Sequence, residues 1–79
     1  MIQEIKTIEH VKQFAKDLIS DECIFHPDDD FNDFVNFETK SKAFTTEEAD
    51  LRNDLMSQCF AVCEKEQLDI YEIMLIQKH

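Results

Sequence analysis

Seventy-nine residues carry 18 Asp and Glu against 8 Lys and Arg, a formal net charge of −10 at pH 7, with 43% hydrophobic residues and no glycine. A chain this short forms one domain at most, spanning residues 1–79, and such a domain buries only about 60% of the surface its unfolded chain exposes. The charge repels phosphate backbones and anionic bilayers, which argues against direct nucleic-acid binding and against attachment to a membrane surface.

No apolar run approaches the length of a membrane span. The opening MIQEIKTIEH lacks the basic flank and apolar stretch of a secretory signal. Three cysteines cannot all pair within one chain, so reduced thiols and a cytoplasmic location are expected. Without glycine, tight turns that need positive φ lack their usual residue, and helices joined by polar connections fit better.

The first predicted helix runs from about Thr7 to Ser20, with Thr7 as N-cap. Ile8, Val11, Phe14, Ala15, Leu18 and Ile19 fall on one half of its circumference. It must stop before His26-Pro27, because proline pushes the preceding residue toward extended geometry. A short second helix is expected to begin among Asp28, Asp29 and Asp30, whose carboxylates complement a helix N-terminus. Phe31, Phe34 and Val35 then face inward at i, i+3 and i+4. Residues 36–44 read as loop, or as a short irregular hairpin around Thr39-Lys40-Ser41-Lys42.

The third helix has the clearest start. Thr45-Thr46-Glu47-Glu48 matches a capping box, and Ala49, Leu51, Leu55, Met56, Cys59, Phe60, Val62 and Cys63 form its apolar half as far as about Glu66. Glu48 and Arg52 are spaced as an i, i+4 ion pair. A fourth element starts at Asp69, with Glu72 completing a cap pattern and Leu68 placed to staple against Ile73. Ile70, Tyr71, Ile73, Met74, Leu75 and Ile76 leave it almost no polar side. Helix is favoured over a buried strand, with a homodimer through Ile70–Ile76 as one way to cover the surplus apolar surface.

Several constellations can carry chemistry. Asp28-x-Asp30-x-Asn32 opens like an EF-hand loop, yet Asp33 stands where glycine makes the turn and Thr39 where a bidentate Glu is needed. Cys23, His26, Cys59 and Cys63 supply four soft zinc ligands, but Cys59 and Cys63 lie within an apolar face and read as core. The acidic neighbourhood of Cys23 and His26 disfavours a nucleophilic thiolate. No phosphate loop, nucleophile elbow or metalloprotease motif occurs, so neither a catalytic residue nor a cofactor is assigned. The remaining candidate is FHPDDDFNDFVNFET. Phe31 and Phe34 read as core, while Phe37 and Phe44, if exposed beside Asp28, Asp29, Asp30 and Asp33, make an apolar patch rimmed by charge.

FHPDDDFNDFVNFET, FTTEEADLRNDLMSQCFAVCEK and LDIYEI resemble a group of small, uncharacterised acidic bacterial proteins of about this length. The resemblance covers most of the chain from Phe25 onward. It implies a bacterial cytoplasmic protein and nothing about catalytic residues. The sequence therefore predicts an all-α domain, a compact bundle of three to four short helices, acting without catalysis as a protein–protein interaction or regulatory module. The alternatives are a metal-binding or metal-stabilised module (through Cys23, His26, Cys59 and Cys63 or the Asp28–Asp33 loop) and, third, a nucleic-acid mimic.

Overall fold

The structure, a computed structural model, describes residues 1–77. Helices α1 (Ile8–Ser20), α2 (Thr46–Lys65) and α3 (Ile70–Gln77) surround one core, and a single 3₁₀ turn, Phe31–Asp33, lies between α1 and α2. Thr7 caps α1 by accepting the His10 N–H at 3.2 Å. Val11, Phe14, Ala15 and Leu18 form its fully buried stripe, whereas Ile19, expected on that stripe, is exposed one step beyond it.

At the head of α2 the capping box is complete. The Thr45 hydroxyl accepts the Glu48 N–H at 3.2 Å, and the Glu48 carboxylate accepts the Thr45 N–H at 2.8 Å. The Thr45 backbone N–H, first among its partners, holds Glu48 below the usual carboxylate pKa. Ala49, Leu55, Met56, Cys59 and Cys63 enter the core, but Leu51 is exposed. Residues 70–77 are helical. Asp69 accepts the Tyr71 N–H at 2.9 Å, and Ile70 and Met74, four residues apart, insert into the core. Leu68 is exposed, and so are Tyr71, Leu75 and Ile76.

The first residues neither extend α1 nor hang loose. The Ile2 N–H donates to Asp17 Oδ2 and the Ile5 N–H to Gln58 Oε1, each at 2.9 Å. These side-chain acceptors replace a ladder, and the buried Ile5 closes one end of the core.

The expected second helix is corrected to one 3₁₀ turn. Asp30 caps it through the Asn32 N–H at 2.9 Å, and Phe34 is already extended at φ −74°, ψ 132°. A lone helical turn fixes several dihedrals for one hydrogen bond and is unfavourable without further length. The extended alternative lets Phe34 reach both Phe31 (centroids 4.9 Å apart) and Phe44 (6.0 Å). Val35 therefore points to solvent rather than inward, and bridges Lys42 in the short irregular hairpin. That isolated bridge is the only β pairing among the described residues.

Both long helices end in a Schellman arrangement. After α1 the Cys23 N–H bonds Leu18 O at 3.0 Å and the Glu22 N–H bonds Ile19 O at 2.9 Å. After α2 the Leu68 N–H bonds Cys63 O at 2.8 Å and the Gln67 N–H bonds Glu64 O at 3.2 Å. The residue in the left-handed position is Glu22 (φ 58°) in one and Gln67 (φ 56°) in the other, where glycine is the usual occupant. A Cβ in that region costs about 1–2 kcal/mol, partly offset by the greater unfolded-state freedom of glycine. Gln67→Gly is expected to stabilise the fold by about 0.5–1 kcal/mol, read as a higher urea midpoint at unchanged slope.

In the core, burial, followed by the neighbouring Cys63, pushes the Cys59 thiol up to about 12. Cys59→Ser places a hydroxyl among apolar neighbours and is expected to cost about 1–3 kcal/mol. Cys59→Ala leaves only a small cavity and costs less; equal losses in urea titrations of the two variants would contradict the apolar role.

Candidate functional site

The site is assembled around Arg52, on the face of α2 that meets the hairpin. Only 11% of its side chain is exposed. Nη1 donates to Glu48 O at 3.1 Å, and Nη2 lies 3.6 Å from Asp21 Oδ2. The guanidinium carbon stands 4.3 Å from the centroid of the Phe44 ring, a cation–π distance. Arg52 thus reaches the C-cap of α1 on one side and the end of the hairpin on the other. The expected Glu48–Arg52 side-chain pair gives way to these partners, because the Glu48 carboxylate is engaged by Thr45.

Between those two attachment points lies an open groove of about 680 Å³. One wall is the segment after α1, Asp21 to Ile24; the other is the hairpin, Phe34 to Glu38, with Ala43 and Phe44. Ile24 is 83% exposed, Phe37 77% and Val35 52%. Asp21, Glu22, Asp29 and Glu38 supply carboxylates, and among the described residues no Lys, Arg or His lines the groove. The surface is apolar in its walls and negative around them.

The hairpin that carries Phe37 is shaped by Asn36. Its Oδ1 accepts the Glu38 N–H at 2.9 Å, and its carbonyl accepts the Lys40 N–H at 2.8 Å. Lys40 takes φ 62°, another left-handed position filled without glycine. Phe37 is the first residue of the turn and is exposed.

The six residues singled out by sequence do not form one surface. Asp29, Phe37 and Phe44 line the groove. Phe44 is half-buried, stacked against Arg52 and the core, so only Phe37 is a freely presented aromatic. Asp28 accepts the Tyr71 hydroxyl at 2.6 Å, which, with partial burial and the acidic surround, raises the tyrosine pKa. Asp30 is a structural clip: it accepts from the Asn32 backbone and from Asn53 Nδ2 at 2.8 Å, while Asn53 Oδ1 accepts the Phe31 N–H at 3.0 Å. Asp33 is exposed and lines neither this groove nor the shallower depression beside Asp28 and Asp30. Ile24, Val35 and Glu38 were missed. For Ile24 the available signal was an apolar residue in a non-helical stretch. Val35 was assigned inward by its i+4 spacing from Phe31, which the 3₁₀ turn does not continue, and Glu38 gave no signal.

Among the described residues no group of three or more His, Cys, Asp or Glu comes together as a metal-binding set. Asp28 and Asp30 direct their carboxylates to Tyr71 and Asn53 rather than into a common loop. Burial, then the charge of Asp69, raises the Cys63 thiol as well, which disfavours the thiolate that both metal binding and nucleophilic attack require. None of the three cysteines forms a disulfide.

The Asn32 N–H, followed by Asn53, holds the Asp30 carboxyl below its ordinary value of 3.8. Its contribution is complete above that value and is lost as pH falls through the lowered folded-state pKa. The Asn53 and Asn32 side-chain NMR signals are expected to move with that single acid titration and to be steady at higher pH. Asn53→Ala deletes the acceptor of the Phe31 N–H and is expected to destabilise the fold by about 1–2 kcal/mol in urea titration; an unchanged midpoint would show that the clip is dispensable.

No protein-family model, curated protein or solved structure matches the chain.

Proposed function

We propose that this chain is a non-enzymatic bacterial cytoplasmic protein that acts by binding another protein, and that the groove beside Phe37 is where it binds. The observation that supports this reading most is the exposure of Phe37 and Ile24 at the mouth of a groove whose lining, among the described residues, holds four carboxylates and no cation. An apolar patch rimmed by charge is the ordinary anatomy of a protein-binding surface. Charge complementarity makes the occupant a segment that combines basic with apolar residues, and a net charge of −10 steers such a partner inward. Among the described residues no helix is long and apolar enough to cross a membrane.

A second reading concerns α3. Leu75 and Ile76 are 55% and 61% exposed, on the helix whose Ile70 and Met74 are buried. We propose that this outer face mediates a homodimer, each copy covering the other. Sedimentation is expected to show a dimer at micromolar concentration that Ile76→Glu converts to a stable monomer; a monomeric parent protein rejects it.

For the groove, the direct test is NMR titration with a peptide containing Lys and Leu in equal parts. Signals of Ile24, Val35 and Phe37 are expected to shift. Phe37→Ser should weaken binding by about tenfold or more, the loss of a buried aromatic contact, and added salt should weaken it further. Shifts spread evenly over the acidic surface and indifferent to Phe37→Ser would contradict the assignment.

A further inference from the structure

The groove has a feature that specifies the conformation of its occupant. In the hairpin the Ala43 N–H donates to Phe34 O and the Asn36 N–H to Ser41 O, each at 2.8 Å. These bonds flank the Val35–Lys42 bridge and make it the non-hydrogen-bonded pair of an antiparallel ladder. The N–H and C=O of Val35 consequently point away from Lys42, to the outer edge of the hairpin. Neither makes a hydrogen bond among the described residues. Val35 itself lines the groove, so that edge borders it.

We infer that the occupant binds as an added β-strand, in extended conformation, with its main chain paired to Val35. This inference rests on the groove reading and specifies the partner's form. Exposed edges are commonly blunted by charge, proline or a bulge, yet here the edge residue is an exposed valine. Side chains of an added strand alternate between two faces. One set falls on the face of Phe34, which packs against Phe31, Phe44 and the core. The other falls on the open face of Val35, which lines the groove together with Asp21, Glu22, Asp29 and Glu38. The segment recognised therefore alternates apolar and basic residues, apolar toward Phe34 and basic toward water. A second copy of this acidic chain is a poor occupant, since like charges would meet.

The probe is a short peptide alternating Lys and Val, added to the full-length isotopically labelled chain. Two derivatives carry N-methyl groups on alternate residues, one on the lysines and one on the valines, so that each loses the donors of one strand edge. The residue opposite Val35 shares its open face and is a lysine. An antiparallel strand, the more stable pairing, therefore bonds through lysine N–H groups. Hydrogen exchange at the Val35 amide is expected to slow on the order of tenfold or more in the complex, and lysine methylation to weaken binding by about tenfold, with valine methylation nearly neutral. Groove signals that shift while the Val35 amide stays unprotected and all three peptides bind alike would overturn strand addition and leave the groove standing. No shift at Ile24, Val35 or Phe37 with any peptide would overturn both.

Discussion

The position of Arg52 is the constraint on which the candidate site depends. It is the cation that α2 sends toward the hairpin, and it touches both walls of the groove, through Asp21 and through the face of Phe44. A guanidinium suits this position because it is planar, can stack on an aromatic ring and still donates in its own plane. Its Nε is buried with no hydrogen-bond partner among the described residues, a cost of about 1–3 kcal/mol. The stacking and the two Nη contacts act against that cost. A lysine could not reproduce both, since its charge is a single point without a plane.

Everything around that side chain turns on short-range devices that work without glycine. Two Schellman ends, with Glu22 and Gln67 in left-handed conformation, stop α1 and α2 abruptly. The first of these directs Cys23 and Ile24 away from the helix axis and so creates one wall. Asn36 bends the chain back and presents Phe37, and the Asp30–Asn53 clip holds the 3₁₀ turn against α2. The three helices provide a small, rigid core. The connections between them carry the surface that faces a partner, in keeping with the general division between scaffold and loops.

The helices were legible because their signals are local: Thr7, the Thr45–Glu48 box and the apolar period of Val11, Phe14, Ala15 and Leu18 all act within a few residues. The irregular region was not. Whether Phe34 continues a helix or extends depends on reaching Phe44, ten residues later, and no local pattern encodes that contact. Likewise Arg52 had a plausible partner four residues away in Glu48, and lost it to Asp21 and Phe44, which only the tertiary fold brings near. Of the proposed surface, Asp29, Phe37 and Phe44 were identified from an acidic and aromatic cluster. Asp28 and Asp30 belonged to that same cluster in sequence, yet they are occupied by Tyr71 and by Asn53. Ile24 carried no warning beyond being apolar in a loop, and Val35 was read as the inward-facing end of a helical period that the extended Phe34 interrupts.

Arg52 ties the two walls of the groove to each other through Asp21 and Phe44. Arg52→Met keeps much of the side-chain volume and removes the charge, so it tests the strut while sparing the core. Amide spectra of that variant are predicted to show displaced or broadened signals for residues 21–24 and for Phe37 and Phe44, with those of Phe14, Leu18, Leu55 and Met74 in place. A spectrum in which the groove residues keep their native positions would show that Arg52 does not hold the walls in place.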